Sequence, residues 1–234
     1  MFLDYNAVMP ESSERKNELV GRTGFSVGPW VRFMLACVIV VGGDLYLKSW
    51  AFAHLADRPV VLTPAMIRAD DPLADYQLET RVVVPKTLAL RLVLNRGAVF
   101  GVGQGAQVLF IGASILAVLA LPVVVYRSRA RQGVVHIGVG LILGGALGNL
   151  YDRVMFQMVR DMLWLFPGVN LPFGWTWGNH QRGLYPWIFN PADAALLLGV
   201  GLLMIVLWRE PGKDVTADAS GEVGAGQRGA KPRG

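Results

Sequence analysis

Cysteine and histidine are scarce in this chain. Its 234 residues include a single cysteine, Cys37, and three histidines, His54, His136 and His180. One cysteine excludes a disulfide within the chain, and the histidines do not have the spacing of a metal-ligand set. We therefore expect neither a bound metal nor a cofactor.

Charge is also sparse. Only 17% of the residues are charged, 53% are hydrophobic and the mean hydropathy is positive, which excludes an ordinary soluble domain of this length. The net charge of +5 does not indicate nucleic-acid binding, because the basic residues flank apolar runs and form no amphipathic face. The composition predicts an integral membrane protein surrounded by phospholipids.

Four apolar runs approach the ~20 residues that a helix needs to cross a membrane. They are predicted to span about residues 31–52, 106–126, 134–150 and 192–208. The loop RSRARQG (127–133) has three arginines and no acid, so the positive-inside rule assigns it to the cytoplasm. Both termini are then cytoplasmic: an N-terminal segment, residues 1–30, and a Gly-rich tail, residues 209–234, which we expect to be disordered.

Two long connections, residues 54–105 and 151–191, then face outward. In the first, RPVVLTP (58–64) and ETRVVVPKTLALRLVLN (79–95) contain β-branched runs that predict short strands over the membrane surface. Tryptophans in the second favour the headgroup level. The predicted fold is an all-α integral membrane protein with four transmembrane helices, which form one domain over residues 31–208, and small β-rich extracytoplasmic elements. We expect a monomer.

Ionisable side chains occur inside these runs, where each costs about 2.5–3.5 kcal/mol to insert and so indicates a functional site. Asp44 and Lys48 are four residues apart, so they lie on one helix face and can pair. We interpret them first as a structural ion pair, with support of a nearby site as the alternative. Their presence also argues against a cleaved signal peptide in this run.

Polar residues also flank the second and third runs. Asn95 precedes a glycine-rich turn, and its amide can position a peptide backbone. Asn149, Asp152 and Arg153 follow the small residues of GGALG (144–148) at spacings of three and four, so they lie on one helix face. A bridge between Asp152 and Arg153 at the membrane interface is the structural alternative.

Two further carboxylates stand beside apolar residues. Asp161 precedes MLWLF (162–166), which would desolvate it. Asp193 is the third residue of the fourth predicted helix, where Asn190 is a good N-cap and Pro191 suits the first position. Capping alone can account for Asn190 and Asp193, and a catalytic role is the alternative.

Five stretches together resemble the lipoprotein signal peptidases, the signal peptidase II family. They are DLYLK (44–48), NRGAVF (95–100), GGALGNLYDR (144–153), VRDM (159–162) and YPWIFNPADAALLLG (185–199), in the family's order and at its spacings. The resemblance implies a membrane aspartyl endopeptidase of the bacterial cytoplasmic membrane. It implies cleavage of lipid-modified prolipoproteins immediately before the diacylglyceryl-modified cysteine, at the outer face of that membrane.

The resemblance also implies roles for individual residues. Asp161 and Asp193 match the family's catalytic pair, and such a pair shares one proton while it activates water. The family's supporting polar residues match Asn95, Asn149, Asp152, Arg153 and Asn190, and its first-helix pair matches Asp44 and Lys48.

The chain departs from the family's usual pattern at several places. Arg160 stands where the family usually has an apolar residue, and Val99 where it usually has alanine. Residues 55–86 and 167–185 are longer than typical, and an enlarged lid over the site is one interpretation of them.

Three other classes remain open on the residues alone. A proton-conducting transporter would distribute ionisable residues through the membrane depth, whereas here they gather at the outer helix ends. A structural membrane protein would need no clustered acids. An intramembrane serine peptidase would have to use Ser114 and His136, which lack an elbow motif and lie far from the polar cluster in this topology.

Overall fold

The computed structural model describes residues 26–97, 107–177 and 181–209. In chain order its elements are α1 (Val27–His54), α2 (Pro64–Arg68), β1 (Arg81–Val84), β2 (Leu88–Asn95), α3 (Gln107–Arg127), α4 (Gly133–Phe156), β3 (Val159–Leu165), a 3-10 turn (Pro172–Gly174), β4 (Ile188–Phe189) and α5 (Pro191–Arg209). Val99, most of the predicted N-terminal segment and the tail after Arg209 lie outside the described residues.

The four long helices α1, α3, α4 and α5 have the length and apolar composition to cross a membrane. The prediction of a helical membrane protein with four spans is therefore confirmed. In the most apolar stretch of α4, 56% of the residues are buried, against 11 to 17% in the other three helices, so α4 is the central helix. The other helices expose large apolar side chains outward, including Leu35, Leu116 and Leu197. Such a surface suits contact with lipid tails.

Glycines on α4 allow its neighbours to approach closely. A Cβ at Gly140 would lie 2.5 Å from the carbonyl oxygen of Phe33 on α1, and one at Gly145 would collide with the carbonyl oxygen of Ala192 on α5. A Cβ at Gly148 would lie 2.5 Å from the carboxylate of Asp44. The small residues of α4 thus bring the backbones of α1 and α5 together around it, as expected for a small-residue helix interface.

Helix α4 ends later than the sequence predicts. It continues beyond residue 150 to Phe156, so Asp152 and Arg153 are helical. Its C-cap residue, Gln157, has a left-handed backbone with φ 57° and donates its N–H to the carbonyl oxygen of Arg153 at 3.1 Å. This turn reverses the chain directly into β3, which places the strand against the end of the helix.

The four strands form one antiparallel sheet in the order β1-β2-β3-β4. Strands β1 and β2 come from the predicted ETRVVVPKTLALRLVLN run. The strand prediction for RPVVLTP is wrong, because this segment lies between two prolines and leads into α2. Its Val60 packs inward and donates its backbone N–H to the carbonyl oxygen of Phe52 on α1.

An apolar cluster fixes the sheet to the end of α1. Its buried members are Ala51, Phe52, Leu55, Val60, Leu73, Leu90, Leu92 and Met162. Met162 of β3 belongs to this cluster, so its neighbour Asp161 is held at the same end of the helices. Leu55, Val60 and Leu73 come from the long connection, which therefore packs on the sheet along part of its length.

Candidate active site

The predicted polar residues converge at one end of the helical bundle. Asp44 and Lys48 lie in the last three turns of α1, Asn149 and Asp152 near the end of α4, and Asp193 in the first turn of α5. Asp161 reaches the same place from β3. All of these except Asp193, which is partly exposed, are at least 96% buried.

The start of α5 combines a helix cap with a carboxylate. The side-chain oxygen of Asn190 accepts the backbone N–H of Asp193 at 3.0 Å, and the Asp193 carboxylate accepts the backbone N–H of Asn190 at 3.3 Å. This reciprocal arrangement is a capping box. The Asp44 carboxylate accepts the next free N–H, from Ala192, at 3.0 Å. The capping prediction for Asn190 is thus confirmed, and the cap uses only the Oδ2 atom of Asp193.

Two asparagines connect the two carboxylates. The amide of Asn190 donates to Asp161 Oδ1 at 2.6 Å and to Asn149 Oδ1 at 3.1 Å. The amide of Asn149 donates to Asp193 Oδ1 at 2.7 Å. Each carboxylate therefore receives a hydrogen bond from a buried amide, which fixes its orientation.

Lys48 forms the predicted ion pair and two further contacts. Its ammonium lies 2.7 Å from Asp44 and 3.2 Å from Asp152, and it donates to Asn149 Oδ1 at 3.2 Å. The structural ion pair is therefore confirmed, and Lys48 also contacts Asn149, whose amide donates to Asp193.

The structural alternative for Asp152, a bridge to Arg153, is wrong. The Asp152 carboxylate does not bridge to Arg153, because adjacent helical residues do not face each other. Instead it accepts the backbone N–H of Arg160 at 2.9 Å and the guanidinium of Arg160 at 2.8 and 3.1 Å. Arg160, which stands where the family usually has an apolar residue, is therefore paired with Asp152.

Arg153 faces the third helix. Its guanidinium lies 4.8 Å from the ring centroid of Phe110 and donates to the carbonyl oxygen of Asn149 in its own helix at 3.3 Å. The side chain is partly exposed, and its positive charge is coupled electrostatically to Asp193 and Asp161. Arg153 therefore lies beside the carboxylates with part of its surface free.

Asn95 is the last residue of β2. It pairs with Val159 in the sheet, and its side chain hydrogen-bonds to Asp161. Its Oδ1 accepts the backbone N–H of Gly97 at 2.9 Å. Gly97 has a positive φ of 96°, which glycine adopts without strain.

The environment of Asp161 favours its neutral form. The carboxyl is 1% exposed, and burial together with the charge of Asp193 raises its pKa to about 8. Hydrogen bonds from Asn190 and Asn95 and the charge of Lys48 act in the opposite direction. Asp161 thus keeps a proton at neutral pH despite three groups that favour its charged form.

Tyr185 is a neighbour of the site that sequence reasoning missed. Its ring makes edge-to-face contacts with Trp187 and Phe189, at centroid distances of 5.3 and 6.0 Å. Burial and the charge of Asp193 raise the pKa of its phenol. The sequence signal that could have identified Tyr185 is its position in the YPWIFN stretch, five residues before Asn190.

The serine peptidase alternative does not assemble. Ser114 donates its hydroxyl to the carbonyl oxygen of Phe110, four residues earlier in α3. His136 instead contacts Ser128 at 2.9 Å, and the Ser128 hydroxyl donates to the carbonyl oxygen of Val125 at 2.6 Å. Within the parts of the chain that the structure describes, no group of three His, Cys, Asp or Glu residues is arranged to hold a metal ion.

Comparisons with known proteins identify similar sequences and folds. The family model for signal peptidase (SPase) II matches residues 36–209. A lipoprotein signal peptidase of Syntrophomonas wolfei is 32% identical over 183 residues, covering 78% of this chain and 96% of that protein. One from Caulobacter vibrioides is 30% identical over 180 residues, covering 75% and 85%. A solved bacterial membrane enzyme has a TM-score of 0.55 and 24% identity, over 78% of this chain and 93% of that one.

Proposed function

Because this chain belongs to the signal peptidase II family, we propose that it is an aspartyl endopeptidase that cuts prolipoproteins immediately before their diacylglyceryl-modified cysteine. Membership of the family makes it a bacterial membrane peptidase that processes prolipoprotein signal peptides. The proposal adds the catalytic groups, the cleavage position and the orientation in the membrane.

One observation carries the assignment of the catalytic groups. Asp161 and Asp193 arrive from two different elements and are joined through Asn190, and the charge of Asp193 raises the pKa of Asp161. Two carboxylates that interact this strongly titrate as a pair and share one proton at neutral pH. A pair with one proton provides a general base and a general acid in one site.

The environments of the two groups support separate starting roles. Asp193 receives the amide of Asn149 and lies in the first turn of α5, where the helix dipole favours an anion, so we assign it the role of general base. Asp161 is buried and keeps the proton. Asp193 then takes a proton from a water molecule, and Asp161 donates its proton to the scissile carbonyl oxygen.

The remaining steps restore the pair. The water oxygen bonds to the carbonyl carbon, which gives a tetrahedral diol. The C–N bond then breaks, Asp193 returns its proton to the leaving nitrogen, and a hydroxyl proton returns to Asp161. No covalent acyl-enzyme forms, because water is the nucleophile.

The supporting residues divide into three groups under this proposal. Asn149, Asn190, Asp44 and Lys48 orient the two carboxylates, as their hydrogen bonds indicate. Arg153, partly exposed beside the pair, and Asn95, at the end of β2, bind the substrate backbone or its carbonyl groups. Asp152 holds β3 against α4.

The orientation in the membrane follows from the charges. The site lies at the end of the bundle opposite the arginine-rich residues 127–132, which we assign to the cytoplasm. The site then faces outward, where a lipid-modified prolipoprotein reaches it from the outer leaflet. Both termini are cytoplasmic in this arrangement, the surroundings are phospholipids, and we propose a monomer.

A paired cleavage assay tests the proposed activity. Detergent-solubilised protein is incubated with a diacylglyceryl-modified precursor and with the same precursor lacking the lipid, and the products are measured by mass spectrometry. We expect release of the signal peptide from the lipidated form with the new N-terminus at the modified cysteine. Cleavage elsewhere, or failure with the lipidated form while a control peptidase cuts it, would overturn the proposal.

A further inference from the structure

Arg160 is a buried cation that the proposed reaction does not use directly. It is 7% exposed, and its guanidinium lies 4.7 Å from the ring centroid of Phe156. Three of its donors, the backbone N–H, Nε and Nη2, contact the fully buried carboxylate of Asp152 at 2.9, 3.1 and 2.8 Å. The arginine therefore binds one carboxylate with both its side chain and its backbone.

The buried ion network is neutral only because Arg160 belongs to it. The network contains two carboxylates, Asp44 and Asp152, and two cations, Lys48 and Arg160. Without the guanidinium, Lys48 alone would face both carboxylates, and one negative charge would remain uncompensated. An unpaired buried charge is strongly unfavourable, so the neighbouring groups would rearrange to reduce it.

The network reaches both proposed catalytic carboxylates. On one side, the bond from the backbone N–H of Arg160 to Asp152 fixes the residue directly before Asp161. On the other side, Lys48 contacts Asn149, and the amide of Asn149 donates to Asp193. Asp152 is the shared member, because it contacts Arg160 and Lys48 together.

We propose that Arg160 is a positioning residue that, through Asp152, sets the geometry between Asp161 and Asp193. The guanidinium of Arg160 neutralises Asp152, so that Lys48 can hold Asn149. The backbone N–H of Arg160, which donates to Asp152, fixes β3 against the end of α4. This inference rests on the proposed function of the two aspartates. It predicts an effect on the chemical step and not on substrate binding.

The variants Arg160→Met and Arg160→Lys test the inference. Met removes the charge at similar length, whereas Lys keeps the charge but loses the forked donor geometry. We expect Arg160→Met to lower kcat about 10- to 100-fold with KM changed less than about twofold, because small displacements of reacting groups are costly. Arg160→Lys should retain a kcat between those of Met and the wild type.

Arg91→Met is the matched control. Arg91 lies on the neighbouring strand β2 of the same sheet, and its side chain is exposed. We expect its kcat and KM to match the wild type. A wild-type kcat in Arg160→Met, or a loss confined to KM, would overturn the inference. If Arg160→Met does not fold, Arg160→Gln replaces it with the same expected loss of kcat, and a wild-type kcat there overturns the inference.

A double variant separates positioning through Asp152 from a general structural effect. Adding Arg160→Met to Asp152→Asn should lower kcat less than twofold further, because the proposed partner is already lost. Full additivity of the two losses would contradict action through Asp152. If the wild type itself does not cleave the lipidated precursor, the proposed function is rejected. If the wild type cleaves it and Arg160→Met keeps a wild-type kcat, only the inference about Arg160 is rejected.

Discussion

Asn190 both caps a helix and contacts one of the proposed catalytic carboxylates. Its Oδ1 caps α5 through the N–H of Asp193, while its amide donates to Asp161. The same side chain therefore starts the helix that carries one carboxylate and orients the other. Capping and catalytic interpretations of this stretch are compatible for that reason.

Replacing Asn190 by alanine should affect both properties. Loss of the cap is expected to reduce the free energy of unfolding by about 1 kcal/mol. Loss of the amide that holds Asp161 should lower turnover on the order of 100-fold. Thermal unfolding and signal-peptide release measure the two effects. Asn170→Ala, at an exposed residue between β3 and the 3-10 turn, is the control and should change neither quantity. Wild-type turnover in Asn190→Ala would contradict the orienting role.

The pH dependence of turnover should report the proton on Asp161. In the proposed mechanism its carboxyl must be protonated to donate to the substrate, and its pKa is raised to about 8 by burial and by Asp193. Turnover should therefore fall as the pH rises through about 8, when this proton is lost. The measurement is kcat across about pH 6 to about pH 10. A kcat that stays constant over this range would contradict a protonated Asp161.

The same shift predicts a pH dependence of stability. Between the unfolded pKa of about 3.9 and the folded pKa, the folded protein binds the extra proton on Asp161. The stability that this proton contributes is complete below the unfolded pKa and is lost as the pH rises through about 8. Asp161→Asn cannot lose a proton, so its unfolding temperature should exceed that of the wild type increasingly as the pH rises. Parallel pH profiles of the two proteins would contradict the raised pKa.

At the scale of elements, the central helix α4 depends on small residues. Gly145 and Gly148 let α5 and Asp44 come into contact with its backbone. These contacts set the distance between α1, α4 and α5, and the distance decides whether their polar side chains can meet. Helix spacing and the geometry of the site are therefore linked.

Gly145→Ala should disturb both the fold and the site. Its Cβ would collide with the carbonyl oxygen of Ala192, the residue before Asp193, so α5 must shift. We expect a destabilisation of about 1–3 kcal/mol and a reduced turnover. Gly201→Ala is the matched control, because its Cβ would meet no atom within 4 Å. Comparing the unfolding temperature and turnover of the two variants provides the test, and equal behaviour would contradict close packing at Gly145.

The long apolar helices were predictable from the sequence, whereas strand β3 was not. Length and hydropathy determine a membrane span, so α1, α3, α4 and α5 lie within a few residues of the predicted bounds, apart from the start of α1 and the end of α4. Strand β3 contains Arg160 and Asp161 within a short run and has no clear alternation of polar and apolar residues. Its pairing with β2 and β4 is a tertiary property that a local pattern does not contain.

At the scale of the whole molecule, the fold brings residues from α1, α4, β3 and α5 to one end. The polar residues of the site were predictable individually, because polar groups are rare among apolar runs. Their partners were not, since the pairing of Asp152 with Arg160 depends on how the chain turns at Gln157. Sequence spacing offered a bridge to Arg153 only as an alternative and gave no indication of Arg160 as the partner.

Cysteine labelling tests the proposed orientation of the molecule. Starting from Cys37→Ser, which removes the only cysteine, Arg129→Cys and Asn170→Cys each introduce one exposed thiol. An impermeant thiol reagent added to intact cells should label position 170 and leave position 129 unlabelled until the membrane is opened. The opposite pattern would invert the topology and place the site on the cytoplasmic side.

The most direct test of the central claim is signal-peptide release by Asp161→Asn and Asp193→Asn. Each variant keeps the shape of the side chain but removes its acid–base chemistry. Asp75→Asn, at an exposed aspartate between α2 and β1, is the matched control. With a lipidated precursor, we predict that both site variants lose cleavage by at least about 1,000-fold while folding normally, and that Asp75→Asn cleaves like the wild type. Cleavage near the wild-type rate by either folded site variant would contradict the account.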